Sequence, residues 1–391
     1  MVQLGAYQTE NGAIGHMSAS GDSRYVFHAK TRRGELQVTL VPSDPTPTGR
    51  RVWVMHGHPL GGILTDHSEE HALFEFAAAG DPKPRAIWRL QPLTEKATES
   101  ANDCNTVLCQ AEVQYHQHPK WRDPLCIRRR QVLRETVTSL SSNGAHFHRC
   151  AQANLDRWKT ETDNLSLNST KPVVVIDGDW GDVTLLMTKK FGQRFAVLNM
   201  ANQISAGGFY LLGEFAQEED MFRRTDCHFH VTSEECDMHT GRYLPHVERL
   251  ISGSTGRVPL DTRNPRVCIR GREDRNSADL GFQWLPESEV FDFYELRSAA
   301  TDFRNGDPFD GLQTQQKIAA QLDTLIDAGI RHCVLSAFGC GAFRNPPQEV
   351  AQVYHDEIKA RLGRFDCITF AIIGQNCQPF QIVLASLVEG M

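Results

Sequence analysis

The segment from Ala206 to Asp220 reads AGGFYLLGEFAQEED and combines a glycine pair with two adjacent glutamates. Glycine loses more conformational entropy on folding than other residues, but it allows the backbone to approach a ligand closely. Neighbouring carboxylates repel each other. Both features therefore indicate a site for a ligand or a reaction. The simpler alternative is that the acidic residues only complement the positive end of a short helix.

A second glycine loop, GCGAF, runs from Gly339 to Phe343 between an apolar run and a predicted helix. Asn345 is expected to cap that helix, which has prolines in its first turn. Amides of such a loop and the positive end of the helix favour an anion such as a diphosphate. If Gly207 and Gly208 reach the same edge of a sheet, the two loops hold the diphosphate from both sides. A plain turn between a strand and a helix is the alternative.

Five apolar runs of strand length follow Lys171, and we expect them to form one sheet. One predicted helix among them carries Ile318, Leu322 and Leu325 at the helical period and ends near Gly329. Strands bounded by helices predict an α/β fold, with a mixed, mainly parallel sheet between two helical layers. Ligands of such sheets bind outside the carboxyl ends of the strands. The runs are PVVVIDGDW, RFAVLNMAN, EVFDFYELRSAATD, RHCVLSAFGCG and DCITFAIIGQN.

Polar side chains follow two of these runs. Asn199 and Asn202 end the run LNMAN, where their amides either bind sugar hydroxyls or cap the strand. Asp177 and Asp179 follow the first run, where a carboxylate can accept from an adenine amino group or a ribose. Both aspartates are equally good turn formers. The sequence leaves each pair open between the two roles.

The first part of the chain has a different character. Residues 1–100 read as strands and turns, and their role is not indicated by any motif. From about residue 124 an amphipathic helical pattern begins, and a second stretch, CAQANLDRWKTETDNL, follows it. We therefore predict three parts: a strand-rich region at 1–100, a helical extension at 101–169 that packs on the last part, and a catalytic α/β domain at 170–391.

The composition limits the class of protein. Hydrophobic residues make up 40% of the 391 positions and charged residues 23%, which is typical of a chain with a buried core. A net charge of -7 argues against non-specific nucleic-acid binding. No apolar run approaches the ~20 residues of a membrane span, and the N-terminus lacks a signal-peptide pattern. Eleven scattered cysteines indicate reduced thiols and a cytoplasmic setting.

Two other motifs resemble functional sites but lack a necessary feature. Cys227, His230, Cys236 and His239 form a metal-like pattern, but the central spacer of five residues is shorter than usual zinc loops, so no metal is expected. The segment VWVMHGHPLGG resembles the oxyanion loop of a serine hydrolase. That reading requires a downstream G-x-S-x-G motif, which the chain lacks.

Taken together, these motifs resemble the macrodomain superfamily, in its branch of microbial poly(ADP-ribose) glycohydrolases. That branch carries GGG followed after six to eight residues by QEE. Here Ala206 replaces the first glycine, and eight residues separate the glycine pair from Gln217. AVLNMAN, SAFGCGAFRNPP and RRRQVLRET resemble other parts of the family. The likeness runs from about residue 124 to the C-terminus and does not cover the first hundred residues.

The resemblance implies a three-layer macrodomain that binds ADP-ribose across the strand ends. Glu219 corresponds to the catalytic acid and Glu218 to the residue that holds a ribose hydroxyl. Asp226 is a further candidate, as partner of a guanidinium. Cleavage at an anomeric carbon passes through an oxocarbenium-like state, which a carboxylate favours. The ADP-ribose-binding set that the resemblance implies is Asp179, Asn202, Gly207, Gly208, Gln217, Gly339, Cys340, Gly341, Ala342 and Phe343.

The implied reaction is hydrolysis of the bond between ADP-ribose and a protein side chain. The replaced glycine and the segment RRTDCHF, similar to bacterial effectors that act on arginine-ADP-ribosylated ubiquitin, favour single units and delivery into a host cell. Cleavage of ribose–ribose bonds in poly(ADP-ribose) is the alternative, and a non-catalytic ADP-ribose reader is the second. No cofactor, nucleic acid or membrane is expected as a partner, and the chain is expected to be a monomer.

Overall fold

The computed structural model describes residues 115–163, 173–237 and 240–389, and the backbones of eight strands between Gly5 and Pro92. The chain divides into two compact units, Met1–His118 and Pro119–Met391. The helical extension predicted at 101–169 therefore does not form a unit of its own, since its helix belongs with the sheet.

The first unit contains a closed antiparallel sheet of eight strands, in which each strand pairs with the next and β1 also pairs with β8. Strands β3 and β4, consecutive along the chain, pair antiparallel from Tyr25 with Leu40 to Thr31 with Gly34. The strands are β1 Gly5–Thr9, β2 Ile14–Ala19, β3 Tyr25–Thr31, β4 Gly34–Ser43, β5 Val52–His56, β6 Ile63–Asp66, β7 Ala72–Phe76 and β8 Ala86–Pro92.

The second unit is built on a six-stranded sheet in the order β13-β14-β10-β15-β16-β9. Every pair is parallel except β13 with β14, which confirms the predicted mixed, mainly parallel sheet. Strands β11 and β12 form a small separate ladder. The strands are β9 Val173–Asp177, β10 Ala196–Met200, β11 Cys236–Asp237, β12 Arg242–Tyr243, β13 Leu260–Cys268, β14 Phe291–Ser298, β15 His332–Leu335 and β16 Cys367–Ile372.

Helices cover both faces of this sheet. Ile318, Tyr354 and Phe380, from three helices, join one cluster with sheet residues such as Leu198 and Phe370. On the opposite face, Trp180 stacks edge-on against Phe293. The predicted α/β/α layering is thus confirmed. The helices are α1 Pro124–Asp163, α2 Trp180–Phe191, α3 Gln217–Arg224, α4 Pro245–Ile251, α5 Gly311–Asp327, α6 Pro347–Lys359, α7 Cys377–Leu384 and α8 Ser386–Glu389.

Helix α1 is one continuous helix of 40 residues, where the sequence indicated two amphipathic stretches. It begins at Pro124, as predicted, and the Asp123 carboxylate caps it by accepting from the Cys126 amide at 3.0 Å. Leu140 and Ala151 of α1 are buried in a cluster with Val267 of the edge strand β13. Because the apolar face continues across both stretches, nothing in the packing requires a break between them.

The predicted boundary of α5 is confirmed, but the predicted cap of α6 is wrong. Gly329 has a φ of +70° just after α5, the left-handed geometry of a C-terminal glycine. The residue before α6 is Pro346, and no side chain caps that helix. Asn345 instead turns away and donates from Nδ2 to the carbonyls of Thr301 at 2.8 Å and Gly339 at 3.1 Å. It ties the glycine loop to the end of β14.

Two further properties concern the described residues alone. None of their helices combines the length and the apolar character that crossing a bilayer requires. Each of the nine cysteines among them is a free thiol, and eight of the nine are buried. The thiols therefore act as small apolar residues of the core in this part of the chain.

Candidate functional site

Helix α3 carries the two glutamates, and its first residue fixes it to the sheet. The Gln217 side chain accepts from the Met200 amide at 2.9 Å and donates to the Leu198 carbonyl at 2.8 Å. The side-chain amide thus forms the same pair of hydrogen bonds to β10 that the backbone of a neighbouring strand would form. Gln217 was predicted to contact ADP-ribose; its side-chain amide is hydrogen-bonded to the backbone of β10, and the contact with a ligand stays a prediction.

Glu218 and Glu219 are buried, with exposed fractions of 2% and 6%. Each has one oxygen held by a backbone amide: Glu218 Oε2 accepts from Asn202 at 2.6 Å, and Glu219 Oε1 accepts from Phe209 at 3.0 Å. The other oxygen of each, Glu218 Oε1 and Glu219 Oε2, is buried without a protein partner. Buried acceptors are normally satisfied. Two adjacent exceptions are therefore the strongest sign that this site takes up hydroxyl groups.

The pKa of both glutamates is raised. For Glu218 it lies well above the usual value, first because burial removes the carboxylate from water and second because the Glu219 charge is close. For Glu219, burial again is the main cause, and the Phe209 amide opposes it. A carboxyl group with a raised pKa remains protonated at higher pH and can donate a proton. The pair therefore has the electrostatics that a general acid needs.

The glycine loop passes directly over this pair. Gly208 has a φ of +59°, and a Cβ there would lie 2.4 Å from Glu219 Oε1 and 3.0 Å from Glu218 Oε2. At Gly207, with a φ of +71°, a Cβ would lie 2.8 Å from the Phe222 ring. Both positions thus need glycine for conformation and for space. Ala206, which replaces the first glycine of the GGG motif that the chain resembles, is buried.

The second loop follows β15 and is held in a fixed shape. Gly339 has a φ of +75°, and a Cβ there would lie 2.4 Å from the Asn345 side chain. Gly341 faces open space, so its backbone is accessible. Along the loop the side chain of Cys340 is buried, Ala342 is exposed and Phe343 is half-buried. Because β10 and β15 are parallel neighbours, this loop and the Gly207–Gly208 loop emerge at the same edge, as predicted.

A cavity of about 730 Å³ opens beside the glutamates, on the side of β14. Asn202 and Phe209, whose amides hold the two carboxylates, both contribute to its wall. The Asn202 side chain also accepts from the amides of Ile204 and Ser205, which shapes the start of the loop. Residues of five segments line the cavity, among them Asn202, Phe209, Thr301, Arg304, Lys317 and Phe343.

The two aspartates after β9 have different surroundings. Asp179 is buried, caps α2 by accepting from Gly181 and Asp182, and pairs with Arg224 at 2.8 Å. All three of these partners contact Asp179 Oδ1, which gives this oxygen a structural role, and the predicted contact of Asp179 with ADP-ribose stays a prediction. Asp177 is exposed at the strand end, where one oxygen accepts from the Gly374 amide at 3.0 Å. Asp177 is therefore better placed than Asp179 to meet a ligand.

Asp226, the third predicted catalytic residue, has partners outside the glutamate pair. Its Oδ1 accepts from the Val267 amide at 2.8 Å, and its Oδ2 contacts His148 Nε2 at 2.9 Å and His230 Nε2 at 3.4 Å. These hydrogen bonds lower the pKa of Asp226 to about 2, although burial opposes them. Such contacts join α1 to β13, and they favour a structural role over the predicted catalytic one.

The change Asp226→Asn is expected to destabilise the protein and spare catalysis. A carboxyl pKa depressed from 3.8 to about 2 stabilises the fold above pH 4, and this stability is lost as pH falls toward 2. At pH 7 the difference corresponds to about 2 kcal/mol, or a Tm lower by roughly 4–8 °C. Thermal unfolding at pH 7 and pH 3 measures it, and the loss is expected to shrink at pH 3. Asp182→Asn, which changes an exposed aspartate, is the control. A large loss of kcat at an unchanged Tm would restore the catalytic reading.

Two groups of residues have side chains of the kind that bind metals. Cys227 and Cys236 are buried, His230 contacts Asp226, and His239 lies outside the described residues. A different group of three possible ligands, His146, Cys150 and Glu287, comes together on the surface of α1 within the described part of the chain. The His146–Glu287 contact of 2.8 Å is also explained by a simple hydrogen bond.

Sequence reasoning missed several residues that shape the site. Phe209 supplies the amide that holds Glu219, and Lys317 reaches the cavity from α5. Arg224 links α3 to α2 through Asp179 at 2.8 Å, and it also pairs with Asp220 of its own helix at 2.8 Å. Arg224 is buried and follows the motif QEED closely in the sequence. A positive charge so near three carboxylates could have indicated an ion pair. Lys317 lies in an ordinary amphipathic helical pattern, and nothing in that pattern indicates its position at the cavity.

Residues 110–243 match the family model of the catalytic domain of microbial-type PARG. This confirms the predicted resemblance and the predicted class, a glycoside-cleaving hydrolase. The matched segment contains α1, β10, the Gly207–Gly208 loop and the two glutamates. The match favours the alternative substrate, poly(ADP-ribose), over a single protein-attached unit. It gives no support to ubiquitin, an arginine linkage or an effector role.

Several solved structures are similar to the chain. Poly(ADP-ribose) glycohydrolase from Thermomonospora curvata is 19% identical, with a TM-score of 0.45 over 65% of this chain and 98% of that one. The same protein bound to the inhibitor ADP-HPD gives a TM-score of 0.44 at 19% identity, with the same coverage of 65% and 98%. The Deinococcus radiodurans glycohydrolase in complex with ADP-ribose is 19% identical, with a TM-score of 0.40 over 63% and 92%. No curated protein sequence matches the chain.

Proposed function

We propose that this protein, with its match to the microbial-type PARG catalytic domain, hydrolyses the ribose–ribose bonds of poly(ADP-ribose). The observation that supports this most is the pair Glu218 and Glu219, each with one oxygen held by a backbone amide and one buried oxygen without a protein partner. The glycine loop over them allows a sugar and a diphosphate to approach closely. The pair lies inside the matched segment.

In this proposal ADP-ribose lies along the carboxyl edge of the sheet. Its base is near Asp177 at the end of β9, and its diphosphate is between the loops that contain Gly208 and Gly341. From β9 to β10 there are three strand steps, roughly 14 Å at the usual spacing, which leaves room for the nucleotide. The distal ribose then reaches Asn202 and the two glutamates, where the bond is cleaved. Phe343 packs beside this ribose.

The chemistry follows from the two carboxyl groups. Glu219, whose pKa is raised by burial, donates a proton to the leaving oxygen as the glycosidic bond breaks. Glu218 Oε1 accepts a ribose hydroxyl and so orients the anomeric carbon. As the bond breaks, positive charge develops on the sugar ring, and the carboxylates lower the energy of that state. A water molecule then adds to the anomeric carbon and gives one proton to the Glu219 carboxylate, which forms the hydroxyl group of the product and restores the acid.

A substrate panel tests the proposal. We expect free ADP-ribose to be released from poly(ADP-ribose), and at least 10-fold more slowly from arginine-linked or glutamate-linked single units. The products are separated and quantified by chromatography, with the Glu219→Gln variant as the blank. If ADP-ribose is released from arginine-linked protein and not from polymer, the proposal is wrong, and the protein hydrolyses single protein-attached units. Tight binding of ADP-ribose with no release from any substrate would instead indicate a reader.

A further inference from the structure

The cavity beside the glutamates lies on the side away from the proposed base site. In the sheet order, β9, β16 and β15 lie on one side of β10, and β14 lies on the other. The cavity is formed where β14 ends, by residues after that strand and by α5. A molecule that runs from β9 to the glutamates therefore enters the cavity if it continues beyond the cleaved bond. Its volume of about 730 Å³ is within the usual range for small-molecule sites.

Lys317 brings a positive charge into the cavity wall. Its side chain is only 7% exposed, and Nζ donates to the carbonyls of Ser252 and Ala299, each at 3.0 Å. Within the described residues, no carboxylate forms an ion pair with it. Burial lowers its pKa to about 8. A buried cation without an opposite charge is costly, so an anion that reaches it binds favourably.

The remaining charges of the wall leave the cavity cationic. Arg304 and Asp302 pair with each other and largely offset their charges. The Arg304 guanidinium also lies 5.3 Å from the centre of the Phe343 ring, and Phe209 exposes 44% of its surface. Aromatic rings beside a cation suit a nucleoside that carries a phosphate. The net positive charge of the wall disfavours the guanidinium of an arginine substrate.

We infer that this cavity binds the leaving unit of the polymer, with Lys317 as the contact to a phosphate of that unit. The inference rests on the proposed function and deepens it. In a ribose–ribose bond the leaving oxygen belongs to the adenosine ribose of the next unit. That ribose carries a base on one side and a phosphate on the other. The exposed ring of Phe209 receives the base, and Lys317 receives the phosphate.

Binding measurements on a Glu219→Gln background test this assignment without turnover. Calorimetry compares a purified two-unit ADP-ribose oligomer with free ADP-ribose. We expect the oligomer to bind about 10-fold more tightly, and Lys317→Met to remove most of this difference. Lys317→Arg is expected to retain it, because the positive charge remains. Lys359→Met, which removes an exposed charge at the far end of α6, is the matched control.

The outcomes separate the two proposals. If the oligomer binds no more tightly than the single unit, the leaving-unit site is refuted, whatever the wild-type protein hydrolyses. If Lys317→Met weakens both ligands equally at an unchanged Tm, the cavity holds the first unit and the assignment is wrong. If the oligomer preference depends on Lys317 but the wild-type protein cleaves no polymer, the inference stands and the proposed reaction fails.

Discussion

Glu219→Gln is expected to lower kcat for polymer cleavage by about 10²- to 10⁴-fold, the range for loss of a general acid. Affinity for ADP-ribose should change by less than about 3-fold, because Glu219 Oε1 accepts from the Phe209 amide and a glutamine oxygen can do the same. The glutamine keeps the shape of the side chain and loses only the transferable proton. Steady-state kinetics and calorimetry on the same preparation measure both quantities.

The pH profile and a neighbouring variant give the controls. An acid acts in its protonated form, so wild-type kcat should fall as pH rises through the raised pKa of the pair, and Glu219→Gln should lose this dependence. Glu218→Gln should mainly raise KM, since Glu218 orients a hydroxyl. If Glu218→Gln abolishes turnover and Glu219→Gln does not, the two roles are reversed. Full activity in both variants would exclude this pair as the site of catalysis.

The fold was predictable wherever a strand is buried on both faces. The apolar runs that became β10, β14, β15 and β16 are continuous because helices cover both sides of the sheet. Edge strand β13 was missed, since Leu260–Cys268 contains a proline and several polar residues and has a break in register after Asp261. Exposure at the sheet edge removes the pattern on which such predictions depend.

The site was predictable where its parts are adjacent in sequence. Gly207, Gly208 and the two glutamates lie within 13 positions of one another, so one motif describes the whole arrangement. The hydrogen-bond and ion-pair partners of the side chains were not predictable from the sequence. Asp179 belongs to a buried pair with Arg224, 45 positions away, and Lys317 enters the cavity from a distant helix. Such partners are chosen by tertiary packing, and no local spacing records them.

Gly208→Ala should be nearly as damaging as loss of the acid, with kcat/KM lowered by about 10²-fold. The added Cβ would lie 2.4 Å from Glu219 Oε1 and 3.1 Å from its Cδ, so the carboxyl group must move. A shift of about 1 Å in a catalytic group typically costs about this factor. The left-handed φ of +59° adds roughly 1–2 kcal/mol of strain in the loop. Kinetics on polymer measure the first effect, and thermal unfolding measures the second.

Gly241→Ala separates strain from displacement of the carboxylates. Gly241 has a similar φ of +66°, but no atom lies within 4 Å of the position of an added Cβ. Its Tm should fall about as much as that of Gly208→Ala, while its kcat/KM should stay within about 3-fold of wild type. The extra loss in Gly208→Ala then comes from moving the glutamates. If Gly208→Ala retained full activity, the loop could not lie against the reacting groups in the working enzyme. The two unpartnered oxygens would then need another explanation.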